Sequence, residues 1–249
     1  MDKLNKDLKA YISKVTGEYK NDLSEEALEN LYSVYPFNKF EYVISHLIAE
    51  KVITIEEYLN IRSSYLNRNK YLYVFEMTAP RSFGEQWAQR HLNEVVPELQ
   101  RPTKDFDTDY NGQYDFWYQG IRIEVKASRA VRKQSGKTLM EKALSRQDTA
   151  SFDMNFQQLK PSCCDVFVWI GVWKDEIVYW VLSSEEVRNN KHYSKGQHRG
   201  NKGEGQLWIK KSNIEDFEKY RTDVRNILTG IVESKNRALW AEPSSSRGR

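Results

Sequence analysis

The chain has 249 residues, and its 38 Lys and Arg nearly cancel its 35 Asp and Glu, leaving a formal charge of only +3. With 39% hydrophobic and 29% charged residues it reads as a folded chain, which excludes a wholly disordered protein. Cys163 and Cys164 are neighbours and the 4 histidines stand apart, so a disulfide scaffold and a structural zinc site are excluded as well.

No apolar run approaches the ~20 residues of a membrane span. The first residues lack a signal-peptide core, so a cytoplasmic protein with no membrane partner is expected. Residues 1–78 read as a helical subdomain. Leu4, Leu8, Tyr11, Ile12 and Val15 recur at helical spacing, and Ser24 caps a second helix with Ala27, Leu28, Leu31 and Tyr32. Asn38 with Glu41 opens a third, carrying Phe40, Val43, Ile44, Leu47 and Ile48. Thr54 with Glu57 forms a capping box for a fourth, running to about Leu66, with Ile53 stapled onto Tyr58. Such short helices fit a helix-turn-helix or winged-helix DNA reader, or a cap on the domain that follows.

That domain is expected over residues 79–240. Phe83, Trp87, Ala88 and Leu92 mark one face of a helix ending before Pro97. Tyr114–Tyr118 and Ile121–Lys126 read as a hairpin closed by Gln119 and Gly120. Residues 129–150 are polar and basic without a clear period, and read as a mobile loop. Phe152, Phe156 and Leu159 predict a short helix ended by Pro161. Val166–Trp173 is apolar enough for a central strand, with Ile177–Leu182 as the next one. Ser183 or Ser184 caps a short helix through Val187, and residues 188–205 form a second basic loop. Gln206–Ile209 returns as a strand. Ser212 or Asn213 then caps a closing helix through Ile214, Phe217, Tyr220, Val224, Ile227, Leu228 and Ile231. Residues 241–249 have the composition of a disordered tail. The fold class is α/β (α+β).

The chemistry centres on Asp115 and the segment Glu124-Val125-Lys126. Alternation along a strand sends Glu124 and Lys126 to one face, and Ile121, Ile123 and Val125 to the other. Antiparallel pairing brings Asp115 near Glu124. Two carboxylates and an ammonium on one sheet edge suit phosphodiester hydrolysis. Carboxylates hold a hard cation such as Mg²⁺, which keeps waters for a phosphate. The cation polarises that phosphate and acidifies a bound water. Lysine orients or helps deprotonate the water, or offsets transition-state charge. An ion pair on a solvated strand face is the plainer reading of the same residues.

The order of helix, motif hairpin and apolar strand resembles the PD-(D/E)XK nuclease superfamily over residues 80–182, with Tyr114 standing where the family has a proline. Size and added segments make it look most like a type II restriction endonuclease. The resemblance implies a restriction-endonuclease-like core, a mixed central sheet flanked by helices. It implies catalytic roles for Asp115, Glu124 and Lys126, with Glu85 on the preceding helix assisting, and Mg²⁺ held at Asp115, Glu124 and Val125. Glu85 reads equally well as a first-turn glutamate favoured by the helix dipole. The products would carry 5′-phosphate and 3′-hydroxyl ends. DNA contacts are expected from Ser128, Arg129, Arg132 and Lys133, from Gln158 on the next helix, and from Gln197, His198, Arg199 and Asn201 in the second loop. Arginine forks and side-chain amides match base edges in the major groove. Implied partners are double-stranded DNA, a second copy of the chain for a palindromic site, and a cognate DNA methyltransferase. Two other readings stay open: a junction or repair endonuclease on the same core, and a non-enzymatic DNA-binding regulator.

Overall fold

The computed structural model describes residues 41–133, 136–196 and 204–240, together with Lys6. The helices expected before residue 41, the Asn38 cap, the tail, and Gln197, His198, Arg199 and Asn201 lie outside the described residues. Helix α1 spans Glu41–Ala49 and buries Val43, Ile44 and Leu47. Helix α2 spans Ile55–Arg68 and opens on the expected capping box: Glu57 N donates to Thr54 Oγ1 at 3.1 Å, and Thr54 N to Glu57 Oε2 at 2.8 Å. A tight turn at Leu72–Glu76 leads to a helical run that begins as a π-helical stretch, Ser82–Trp87, and continues as α3, Ala88–Val95. Its Phe83, Trp87, Ala88 and Leu92 are buried, as their spacing requires.

The strands follow as β1 (Phe116–Tyr118), β2 (Ile121–Arg129), β3 (Val131–Arg132), β4 (Phe152–Leu159), β5 (Val166–Val172), β6 (Ile177–Ser183), β7 (Tyr193–Lys195), β8 (Gly205–Lys210) and β9 (Arg221–Thr222). Between them lie the short helices α4 (Leu139–Lys142) and α5 (Ser184–Arg188), and α6 (Ile227–Trp240) follows. The strands form a 5-stranded sheet, β1-β2-β5-β6-β9, and a 4-stranded sheet, β3-β4-β8-β7. In the first, β2 runs parallel to β5 while β1, β6 and β9 pair antiparallel, so the fold is α+β with a mixed sheet. The second is antiparallel throughout.

Strand β5 is buried along its whole length, because both faces of its sheet are covered. On one face Ile123, Val125, Val168 and Ile170 share a core with Leu92 of α3 and with Ile227 and Ile231 of α6. On the other, Phe167, Trp169, Trp180 and Leu182 share a core with Met154, Phe156, Leu207 and Ile209 of the second sheet. No helix among the described residues is long and apolar enough to cross a membrane.

Four expectations are corrected. Residues 152–159 form strand β4, not a helix. Phe152 and Phe156 are four apart, which suits either period, but Met154 is buried between them while Asp153 and Asn155 are half-buried, and that alternation is a strand's. Residues 129–150 hold β3, paired to β4, and α4, capped by Thr138 and Glu141. The segment 188–205 contains β7, paired to β8. The closing helix is broken: Ile214–Tyr220 is a 3-10 segment whose Asn213 makes no side-chain cap, and β9 pairs with β6 before α6 begins.

One charged cluster ties these layers. Asp165, at the entry to β5, accepts from Arg122 N at 2.9 Å, from Arg122 Nε at 3.2 Å and from Lys235 Nζ at 2.7 Å. Burial works to raise the pKa of this carboxyl, but Arg122 and Lys235 outweigh it and hold it below the usual carboxylate value. The stability it contributes is present above that usual value and is lost as pH falls through the depressed one. Asp165→Asn is expected to cost about 2 kcal/mol at pH 7, given that both cations are partly exposed. Urea unfolding of both proteins at neutral and at strongly acidic pH checks this. An equal gap at both pH values would contradict the assignment.

Candidate active site

The hairpin turn sets the geometry. Gln119 and Gly120 both take positive φ, 47° and 84°, which gives a two-residue turn and fixes the pairing Phe116↔Ile123. Asp115 therefore stands one residue before β1, its N donating to Ile123 O at 3.0 Å. Strand β2 runs on past that point. Val125 consequently has no strand partner on this edge, and its N–H goes to Asp115 Oδ2 at 2.8 Å. The Val125 carbonyl belongs to the same edge, since the N–H and C=O of one strand residue point to the same side.

On the helical run, Gln89 donates from Nε2 to Asp115 Oδ1, and Arg101 Nη1 donates to Gln89 Oε1 at 2.7 Å. Arg101 and Gln89 thus hold the Asp115 carboxyl in one orientation. Glu124 and Lys126 leave the same face of β2, as alternation requires, and pair at 2.7 Å. Burial raises the Asp115 pKa to about 7, with the Glu124 carboxylate adding to the effect. Burial also works to lower the Lys126 pKa, but Glu124 and Asp115 outweigh it, so the shift is upward and the ammonium stays charged.

This edge opens into a cleft of about 1380 Å³. Its cationic walls, Arg81, Arg129, Arg132, Lys133, Lys142 and Lys160, outnumber the carboxylates Glu85, Asp115, Glu124 and Asp153. The first basic segment therefore lines the same space as the carboxylates. In the second segment the described residues 188–196 lie outside the cleft lining. Its far end is nevertheless anchored there, through Glu204 paired to Lys160 at 3.0 Å.

The other expected residues are distributed as follows. Glu85 lines the cleft but is 63% exposed in its side chain and pairs with Arg81 at 2.9 Å, whereas Gln89, one turn later, reaches Asp115. Arg129 is a strut. Its Nη1 donates to Val74 O at 3.1 Å and Met77 O at 2.7 Å, its guanidinium lies 4.0 Å from the Phe83 ring centre, and burial lowers its pKa to about 10. Arg132 and Lys133 remain exposed, with Arg132 3.8 Å from Asp148. Ser128 is buried in the cleft wall. Gln158 is not on a helix: it is exposed at an irregularity of β4, with φ 55°. Gln89 and Arg101 were not foreseen. The signal available for Gln89 was its position four residues after Glu85, on the same helical face.

Among the described residues no three His, Cys, Asp or Glu side chains gather as a metal cluster. Two carboxylates and a backbone carbonyl are the oxygen donors at hand. That set suits Mg²⁺, which takes one or two carboxylates and keeps its waters, better than a nitrogen- or sulfur-loving ion. The upward pull of Glu124 on Asp115 is a like-charge repulsion that a bound cation would relieve. Comparison with protein-family models and with curated proteins finds no match, which leaves the geometry to carry the chemistry.

Proposed function

We propose that the chain is a Mg²⁺-dependent endonuclease of the PD-(D/E)XK kind, with a restriction-endonuclease-like core, that cuts double-stranded DNA at a specific sequence. The observation that carries this reading is the meeting of Asp115 with the Glu124–Lys126 pair in the lining of a basic-walled cleft. Asp115, Glu124 and the Val125 carbonyl would hold the cation, whose contribution is to polarise the phosphate and acidify a water. The Lys126 ammonium offsets the negative charge that builds on the phosphate in the transition state. Gln89, backed by Arg101, keeps Asp115 aligned for this role. Arg132 and Lys133 grip backbone phosphates along the cleft. A palindromic target calls for a second copy of the chain. A restriction role calls for a cognate methyltransferase and a cytoplasmic location.

Incubation with unmodified phage DNA and Mg²⁺, followed by sequencing of the ends, tests the proposal. Discrete fragments with 5′-phosphate and 3′-hydroxyl ends are expected. Cleavage confined to branched or mismatched DNA would replace sequence specificity with structure specificity. No Mg²⁺-dependent cleavage of any duplex would overturn the nuclease reading.

A further inference from the structure

Alternation along β8 sends Leu207 and Ile209 into the core and leaves Gln206, Trp208 and Lys210 on the outer face of the second sheet. On β4 the same rule leaves Asp153 and Asn155 outside, and the register sets Asn155 opposite Trp208. The cleft that begins at Asp115 extends over this face, lined there by Asp153, Asn155, Gln157, Gln158 and Trp208. Trp208 is 36% exposed, whereas Trp169, Trp173 and Trp180 are fully buried. An indole partly exposed on a cleft wall, with Lys210 Nζ 5.5 Å from its ring centre, still offers a flat apolar surface outside the core.

The surroundings are polar in a particular way. Asn155 Nδ2 donates to Gln206 Oε1 at 3.3 Å, while Asn155 Oδ1 is buried and has no hydrogen-bond partner among the described residues. A buried amide oxygen left unpaired in this way is costly to the fold. Gln158 takes the left-handed φ of 55° where the β4–β8 register shifts between Phe156 and Leu159. Such strain is kept where it aims a side chain, and this one is aimed at the cleft.

We infer that this outer face is a nucleobase site. Trp208 stacks on the flat face of one base, and the amides that line the same cleft, Asn155 and Gln158, take the base's edge. A base inside a duplex has both faces covered by its neighbours, so the platform serves a base that has left the stack. The substrate strand therefore presents an unpaired nucleotide at Trp208 while the carboxylates face a phosphate elsewhere in the cleft. The inference rests on the reading of the cleft as a DNA site, and not on the cleavage chemistry.

The test measures binding without metal. The full-length protein in EDTA is titrated into a fluorescein-labelled single-stranded oligodeoxyadenylate, and into the same strand carrying abasic sites, with anisotropy as the readout. Trp208→Ala should weaken oligodeoxyadenylate binding about tenfold, and Trp208→Phe by no more than about threefold, because base stacking survives on a smaller ring. The abasic strand should bind the wild type and Trp208→Ala alike. Thermal melting confirms that the exposed position leaves the fold intact. No binding of the single strand by the wild type, an unchanged affinity in Trp208→Ala, or an equal loss on the abasic strand would each overturn the inference. Absence of Mg²⁺-dependent cleavage leaves this result standing and bears on the nuclease reading alone.

Discussion

Lys126→Ala is expected to lower Mg²⁺-dependent DNA cleavage by about 10²–10³-fold, the size of effect seen when one preorganised transition-state partner is removed. Lys126 sits on β2 beside Glu124, with its side chain only 20% exposed and its Nζ 2.7 Å from that carboxylate. Its charge is therefore fixed in place before any phosphate arrives, so no reorganisation is needed at the moment of reaction. The substitution should leave the oxygen donors intact. Mg²⁺ should still raise the melting temperature of Lys126→Ala, because a ligand that binds only the folded state stabilises it. Asp115→Asn should lose both the cleavage and the Mg²⁺-induced rise. The two variants together separate charge offset on the phosphate from holding of the cation. Wild-type cleavage by Lys126→Ala would remove the lysine from the site.

Trp169→Ala is expected to destabilise the fold by about 3–5 kcal/mol, the usual cost of truncating a large buried aromatic. Trp169 is fully buried at the joint between the sheets. Its ring stacks on Phe156 of β4 with centroids 4.8 Å apart and lies 6.2 Å from Phe217 of the 3-10 segment. No single neighbour can close the space its loss would leave, because the surrounding rings, Phe156, Phe167 and Phe217, come from β4, β5 and the 3-10 segment. It is also the register partner of Lys126 across the parallel β2–β5 ladder, so the same change loosens the floor beneath the ammonium. Against a total stability of about 5–15 kcal/mol this is a large fraction. The melting temperature should fall on the order of 10 °C. Urea unfolding and a melting curve measure it, and a loss below about 1 kcal/mol would show that the two sheets do not depend on this ring.

The parts of the fold that were legible in the sequence are those governed by neighbours in the chain. The hairpin follows from Gln119-Gly120 and from the alternation Ile121, Ile123, Val125, and so does the common face of Glu124 and Lys126. The all-apolar run at Val166–Val172 declares a strand covered on both faces. The Thr54–Glu57 box marks its helix directly. What the sequence hid depends on partners far away in it. Strand β4 was obscured because two phenylalanines four apart satisfy both periods, and only pairing with β8 decides between them. Arg129 looked like a free cation, but it is bound to carbonyls at Val74 and Met77, more than fifty residues earlier. Gln89 became visible only once α3 was laid beside the hairpin.

Strands β2 and β3 are nearly continuous, and on the proposed nuclease reading this bears on where a strand would be cut. Strand β2 ends at Arg129 and β3 begins at Val131, with only buried Ala130 between the two sheets. Arg132 thus follows Lys126 along almost uninterrupted extended chain, which limits their Cα separation to about 20 Å. Successive phosphates along one DNA strand advance about 3.4 Å along the helix axis. On the proposed nuclease reading, a backbone phosphate held by Arg132 would lie within about six axial steps, extended by the reach of the two side chains, of the phosphate at Lys126. On that reading the polypeptide would act as a short ruler, setting the cut inside or at the margin of the sequence that this segment holds.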